Sequence, residues 1–294
     1  MSSVTVSGPR PRFGGAAARL AAVARLTWPV RICAALLVLV VLGAVSAPWL
    51  APYDPASGDL SSTLAGMSGD HWLGTDAGGH DTFSQLLAGG RTSLLGPLGV
   101  VVFSTVSGVL AGLFSAWRGG WVDALIGRVL DIMFAFPSLL LAILAVALFG
   151  KGLGAPVVAM AIAYMPYTAR LVRGLTQQEK MRPYIAAYRV QGHSGTFIAL
   201  RRVLPAIGPT VLAQSTVNFG YALLDLAALS FLGLGVQPPT ADWGAMINQS
   251  QAAVLEGQPL SAVLPALLVV VVVVAVTVVG EHFGDRLSGR EAKA

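Results

Sequence analysis

Side chains able to do chemistry are scarce in this chain, and they fall in three places. His71, Asp76, His80 and Asp81 crowd into one short segment with Gly74, Gly78 and Gly79. Imidazoles and carboxylates are residue types that take divalent metals, and the glycines suit a turn. Asp225 follows Gln214, Thr216 and Asn218 in an otherwise apolar run. A carboxylate buried in hydrocarbon is costly, so it should line a polar cavity, bond a neighbouring helix or reach the hydrated interface. The third place is the basic segment RPYIAAYRVQGHSGTFIALRRVLP at 182–205. Phosphate chemistry is not visible. Gly150-Lys151 is the only Gly-Lys pair, and it lacks the glycine spacing that wraps a phosphate. Leu287-Ser288-Gly289-Arg290 has no nucleotide-binding fold around it. Serine, histidine and aspartate are not grouped as a nucleophilic triad, which argues against an intramembrane protease.

The elements that must position these groups are membrane helices. Of 294 residues, 55% are hydrophobic and 11% charged, with mean hydropathy +0.71. Soluble chains carry about 25% charged residues, so much of this surface faces lipid. Crossing about 30 Å of hydrocarbon takes roughly 17–25 apolar residues. Six stretches qualify, at 32–53, 92–117, 132–150, 152–169, 203–224 and 257–280. The valine run 269–274 would read as a strand in water, but lipid favours a helix because a lone strand leaves its backbone unpaired. The lone Cys33 permits no disulfide framework.

Basic residues are distributed unevenly around these spans. Arg10, Arg12, Arg19, Arg25, Arg31, Arg118, Arg128, Arg170, Arg173, Lys180, Arg182, Arg189, Arg201, Arg202, Arg286, Arg290 and Lys293 fall on one side, and only Arg91 and Lys151 on the other. The positive-inside rule places both termini in the cytoplasm. It also accounts for the net charge of +5 without nucleic acid, and no nucleic-acid partner is expected. Trp28, Trp49, Trp72, Trp117, Trp121 and Trp243 are expected at the interfaces. Val45-Ser46-Ala47 resembles a signal cleavage site, but Pro48 and five further spans favour an uncleaved first helix. The domain reading is a basic cytoplasmic arm at 1–31, a first transmembrane helix at 32–53, and an external loop at 54–91 with a short helix near Asp81. A five-helix core follows at 92–287 and a cytoplasmic tail at 288–294. Pro238-Pro239 interrupts any helix in the second external segment.

On the basic loop, Pro183 suits the first turn of a helix, which Gly192 should end or bend. A second amphipathic stretch, 197–203, leads to Pro205. Such a loop suits docking into a partner's groove. An interfacial helix held by anionic lipid fits these residues equally well.

The spacing of Ala187, Gly192 and Val203-Leu204-Pro205 resembles the EAA loop of bacterial ABC-importer permeases, with Ala186 at the family's glutamate position and Tyr188 at its second alanine. HWLGTDAGGHD at 71–81, with His80 where arginine is usual, LDIMFAFPSLLLAI at 130–143 and LDLAALSFLGLGVQPPTADWGAM at 224–246 are similar to the C-type permeases of dipeptide, oligopeptide and nickel importers. The likeness runs from about His71 to Arg286. It implies an all-α polytopic bundle of six transmembrane helices, MetI-like, with a cytoplasmic coupling helix and an external loop helix. The implied function is a non-catalytic permease subunit that moves di- or oligopeptides, or alternatively nickel or another small solute. Its implied partners are a homologous B-type permease in a heterodimer, two ABC ATPase subunits, an external substrate-binding protein and the lipid bilayer of the bacterial cytoplasmic membrane. ATP and Mg would sit on the ATPases, with no cofactor on this chain.

The resemblance also implies roles for particular residues. Pro183, Ala186, Ala187, Tyr188, Arg189, Gly192, Leu204 and Pro205 would form the ATPase-coupling loop. From the chemistry of a carboxylate in an apolar span rather than from the resemblance, Asp225, with Asn218 and Gln214, would line the translocation path or bond across the subunit interface. Asp76, His80, Asp81 and Trp243 would serve the external gate or meet the binding protein, rather than a metal. A secondary carrier acting alone, with Asp225 as its proton site, is the reading from a different class, and a scaffold without transport is a third.

Overall fold

The computed structural model describes residues 27–287. The predicted arm, apart from its last few residues, and the predicted tail lie outside them. Helix α1 spans Trp28–Leu50. It is apolar all round, as a lipid-embedded helix should be, and buries only Val30, Ala44 and Ala47. A loop containing one 3-10 turn, Leu60–Ser62, leads to α2, Thr82–Arg118.

The short helix predicted near Asp81 and the span predicted from 92 are therefore a single helix. Its 37 residues reach about 56 Å at 1.5 Å per residue, well beyond the hydrocarbon. Gly89 and Gly90 do not break it because a tryptophan packs on them. A Cβ at Gly89 would meet the Trp243 ring at 3.3 Å and one at Gly90 would meet it at 3.1 Å.

The third predicted span is also corrected. α3, Gly120–Phe134, and α4, Ser138–Phe149, meet at a 78° bend. Pro137 lacks an amide hydrogen and disfavours helical geometry at Phe136, so the helix stops and restarts. Among the described residues, five helices are long and apolar enough to cross a membrane, and a sixth span results if the bent pair counts as one.

α5, Gly154–Lys180, runs on well past the predicted end at 169. It lies parallel to α2 at close range across glycines. A Cβ at Gly108 would stand 2.7 Å from Thr168 Cβ, and one at Gly112 2.9 Å from Val172 Cβ. Small residues permit such backbone approach in membranes, where packing rather than water exclusion drives association.

Next come α6, Pro183–Val190, and α7, Gly195–Ile198. A π turn, Ala199–Val203, joins α7 directly to α8, Leu204–Phe231. The amphipathic stretch predicted at 197–203 therefore runs through Pro205 into the following span without interruption. A proline in the first turn of a helix has no hydrogen bond to lose there, and the π turn absorbs the misfit. α9, Trp243–Gln249, and α10, Gln251–Leu255, precede α11, Leu260–Leu287, which carries the valine run as helix. α8 and α11 pack antiparallel, with Gly220 against Val273 and Thr277.

One buried cluster joins α2, α4, α5 and α8 around Val100, Met160 and Leu229. A second gathers at the arginine-rich end around Val172, Ile185, Ile198 and Val203. The third surrounds Trp243 at the aspartate-rich end. Trp28, Trp49, Trp72 and Trp121 are exposed as the interfacial reading expects. Trp243 departs from it at 1% exposure, because its indole fills the space above Gly89 and Gly90.

Candidate functional site

At the arginine-rich end, α6 presents a small, apolar face that nothing among the described residues covers. Ile185 is fully buried and anchors the helix, whereas Pro183, Ala186, Ala187, Arg189 and Val190 are exposed, Val190 to 89%. The helix closes on Gly192 with φ +81°. The Gly192 amide donates to Arg189 O at 3.0 Å and the His193 amide to Tyr188 O at 3.1 Å. These two bonds are the Schellman pattern, which places a left-handed residue at Gly192. The His193 ring then stacks on Phe197 at 4.6 Å.

The same helix is tied firmly to the bundle. Tyr184 Oη donates to Glu179 Oε1 at 2.5 Å, and Arg182 Nε pairs with Glu179 Oε2 at 3.0 Å. Burial, reinforced by the Glu179 carboxylate, pushes the Tyr184 phenol up to about 12. It therefore remains a proton donor near neutral pH. The neighbouring Lys180 Nζ donates to Ala116 O at 2.7 Å and lies 5.4 Å from the Trp117 ring centroid. Trp117 in turn packs on Gly195, where a Cβ would stand 2.5 Å from Nε1. Arg202 covers Tyr188 at 4.5 Å. Arg173 grips Asp123 with two bonds of 2.6 Å, and Ser115 Oγ donates to the same carboxylate. Displacing α6 would therefore load α2, α3, α5 and α8 together. Leu204 is partly buried and Pro205 exposed where α8 begins.

Asp225 is held near the C-terminal end of α8, at the α3–α4 bend. Ser138 Oγ donates to its Oδ2 at 2.7 Å and Tyr164 Oη at 3.0 Å. The sequence placed it with Gln214 and Asn218, but those two form a separate pair, Gln214 Nε2 donating to Asn218 Oδ1 at 3.1 Å. Seven residues of helix separate Asn218 from Asp225, about 10 Å at 1.5 Å per residue, too far for a bond. Asn218 Nδ2 is buried without a partner among the described residues. Thr216 turns back onto Ala213 O. Ser138 and Tyr164 were missed in the sequence. A hydroxyl beside Pro137 and a phenol inside an apolar span were the available signals.

At the aspartate-rich end, Asp76, Asp81 and Asp242 are buried and consumed by the fold. Asp76 accepts from the amides of Gly78 at 2.8 Å and His80 at 2.9 Å, and meets His80 Nδ1 at 3.0 Å. Asp81 caps α2 through the Ser84 amide at 2.8 Å and meets His71 Nδ1 at 2.9 Å. Asp242 accepts from Ser93 Oγ at 2.7 Å, while Trp243 Nε1 donates to Leu86 O at 3.0 Å. Asp76 and Asp81 are 4% and 3% exposed. Together with the buried Trp243, they brace the loop from within. Of the four residues assigned to this end, only His80 reaches the surface. The two histidines pair with different aspartates, and no group of three or more metal-ligating side chains forms among the described residues.

Residues 108–289 match the family described as "Binding-protein-dependent transport system inner membrane component". The glutathione transport system permease protein GsiD of Escherichia coli O157:H7 is 39% identical over 251 residues, covering 85% of this chain and 82% of that protein. The GsiD protein of Shigella boydii serotype 4 matches to the same extent. Among solved structures, the inward-facing MetNI methionine ABC transporter aligns with a TM-score of 0.54 at 17% identity. That alignment covers 66% of this chain and 92% of the transporter chain, a likeness of fold.

Proposed function

Because this chain belongs to the family of binding-protein-dependent transport system inner membrane components and is the permease of an ABC importer, we propose that Pro183–Val190 is where an ATPase partner drives it. The observation that carries the proposal is the combination on α6 of an uncovered small-residue face and a fixed attachment. The exposed face of Pro183, Ala186, Ala187 and Val190 is shaped to enter a groove, and the Tyr184–Glu179 bond carries its displacement into α5. Arg189 stands at the edge of that face for a carboxylate on the partner. The arginine-rich end faces the cytoplasm, in keeping with the positive-inside rule, and both termini lie there.

ATP and Mg are handled on two separate ATPase subunits, and this chain is not itself an enzyme. A homologous permease completes the pathway as a heterodimer. An external binding protein delivers the cargo, and a di- or oligopeptide is the cargo that the glutathione relatives best support. Asp225 lines or supports the pathway at the α3–α4 bend, and the braced external loop supports the outer gate.

The test is reconstitution with the cognate ATPases and binding protein, with transport and ATP hydrolysis measured together. Cysteines placed at Ala187 should cross-link to the ATPase, and Gly192→Val should separate hydrolysis from transport. Transport by the purified chain alone under a proton gradient would overturn the reading, as would topology reporters that place Ala187 outside the cell. Mass-spectrometric identification of ligand retained on the binding protein decides the cargo.

A further inference from the structure

One groove is explained by neither the docking helix, Asp225 nor the braced loop. It lies where α1 leans on α2, α8 and α11 and has a volume of about 700 Å³, within the range of ligand-sized sites. Leu37, Val41, Leu94, Leu98, Phe219 and Val276 wall it. A single charged side chain, Arg91, stands at its aspartate-rich end beside Trp49. Arg91 is exposed, and no carboxylate pairs with it among the described residues. Trp49 is 82% exposed, as an indole at headgroup depth should be. From Trp49 to Leu37, α1 rises about 18 Å at 1.5 Å per residue, close to one leaflet of a core about 30 Å thick.

We propose that this groove binds an anionic phospholipid, with the phosphate paired to Arg91 and one acyl chain laid along α1 towards the bilayer centre. A guanidinium meets phosphate oxygens with two parallel hydrogen bonds, while the leucine and valine wall offers an acyl chain only apolar contact. A second protein helix suits the groove less well. Helices pair in membranes across small residues, and here leucines and Phe219 stand in the way. The lipid wedges α1 against the core, independently of which cargo is carried.

The test uses the assembled transporter in nanodiscs of phosphatidylcholine with graded phosphatidylglycerol, and native mass spectrometry counts the lipids retained after delipidation. Phosphatidylglycerol should be retained over phosphatidylcholine. Arg91→Gln should lower that retention about tenfold, the effect of losing a charge-assisted pair, and Arg91→Lys should recover part of it. Leu98→Trp, which fills the groove and keeps the charge, should displace the lipid as well, and it decides the matter if Arg91→Gln does not assemble. Equal retention of the two lipids, or full retention by both Arg91→Gln and Leu98→Trp, would overturn the proposal. So would efficient cross-linking of a cysteine at Leu95 to the partner permease, which would show the groove covered by protein.

Discussion

The two ends of the bundle use their charges in opposite ways. At the arginine-rich end, ion pairs such as Arg173–Asp123 and Arg182–Glu179 fasten helix ends to one another, and the surface left free for a partner is small and nearly uncharged. At the aspartate-rich end, Asp76, Asp81 and Asp242 turn inward to cap helices and close a loop. One end leaves a helix face uncovered among the described residues, and the other closes on itself. The family's motifs occur at both ends, so a motif marks a part of the machine without saying whether its residues touch a partner.

Substitutions should break this contrast most strongly at Gly192. Its φ of +81° costs a residue with a Cβ roughly 1–2 kcal/mol, and a β-branched side chain more. Gly192→Val should reduce transport at least about tenfold in proteoliposomes, through loss of assembly or loss of coupling. Gly192→Ala should do less, because its side chain meets nothing nearby. Wild-type transport by Gly192→Val would mean that the shape of this turn is unimportant.

The tether comes next. Tyr184→Phe removes the donor to a buried carboxylate, a charge-assisted bond worth about 1.5–3 kcal/mol. The transport-to-hydrolysis ratio should fall several-fold while the complex still assembles. If both rates fall in proportion, Tyr184 only supports folding and carries no motion. At the opposite end, Asp81→Ala removes the α2 cap, about 1 kcal/mol, and the partner of His71. The unfolding midpoint in detergent should drop by about 2–4 °C, with coupling unchanged. A change in the ratio there would erase the distinction between the ends.

Much of this was legible in the residues. The spans, the helix that begins at Pro183 and its stop at Gly192 follow from hydropathy, Pro183 and a glycine at the helix end. Boundaries failed where tertiary contact overrode a local signal. The span predicted from 92 begins ten residues earlier, where Trp243 packs on Gly89 and Gly90, and the stretch at 197–203 runs through Pro205 into the next span. The 132–150 stretch reads as one span because hydropathy does not register a bend, although Pro137 was in view. Within the site, spacing along a single helix grouped Asp225 with Asn218. Its actual donors come from α4 and α5, and partners across helices leave no periodicity in a sequence. Trp243 and the loop aspartates were assigned to an outer contact because motif residues on a loop are read as exposed. Burial depends on the whole fold.

Asp225 takes part in neither set of contacts, and its substitution should have the smallest effect. Both of its donors are hydroxyls, and both address Oδ2. In Asp225→Asn an amide oxygen can accept from Ser138 and Tyr164 as the carboxylate does, so the bend should survive while the charge is lost. Transport should stay within about twofold of wild type and vary with pH as wild type does. Asp225→Leu removes the acceptor as well and strands two hydroxyls, at about 1–3 kcal/mol each where they are buried, so it should destabilise the bend and slow transport. A carrier that moved protons through Asp225 would show the reverse ranking, with Asn as damaging as Leu. The comparison of the two substitutions therefore separates a carboxylate that holds a helix bend from one that changes charge during transport.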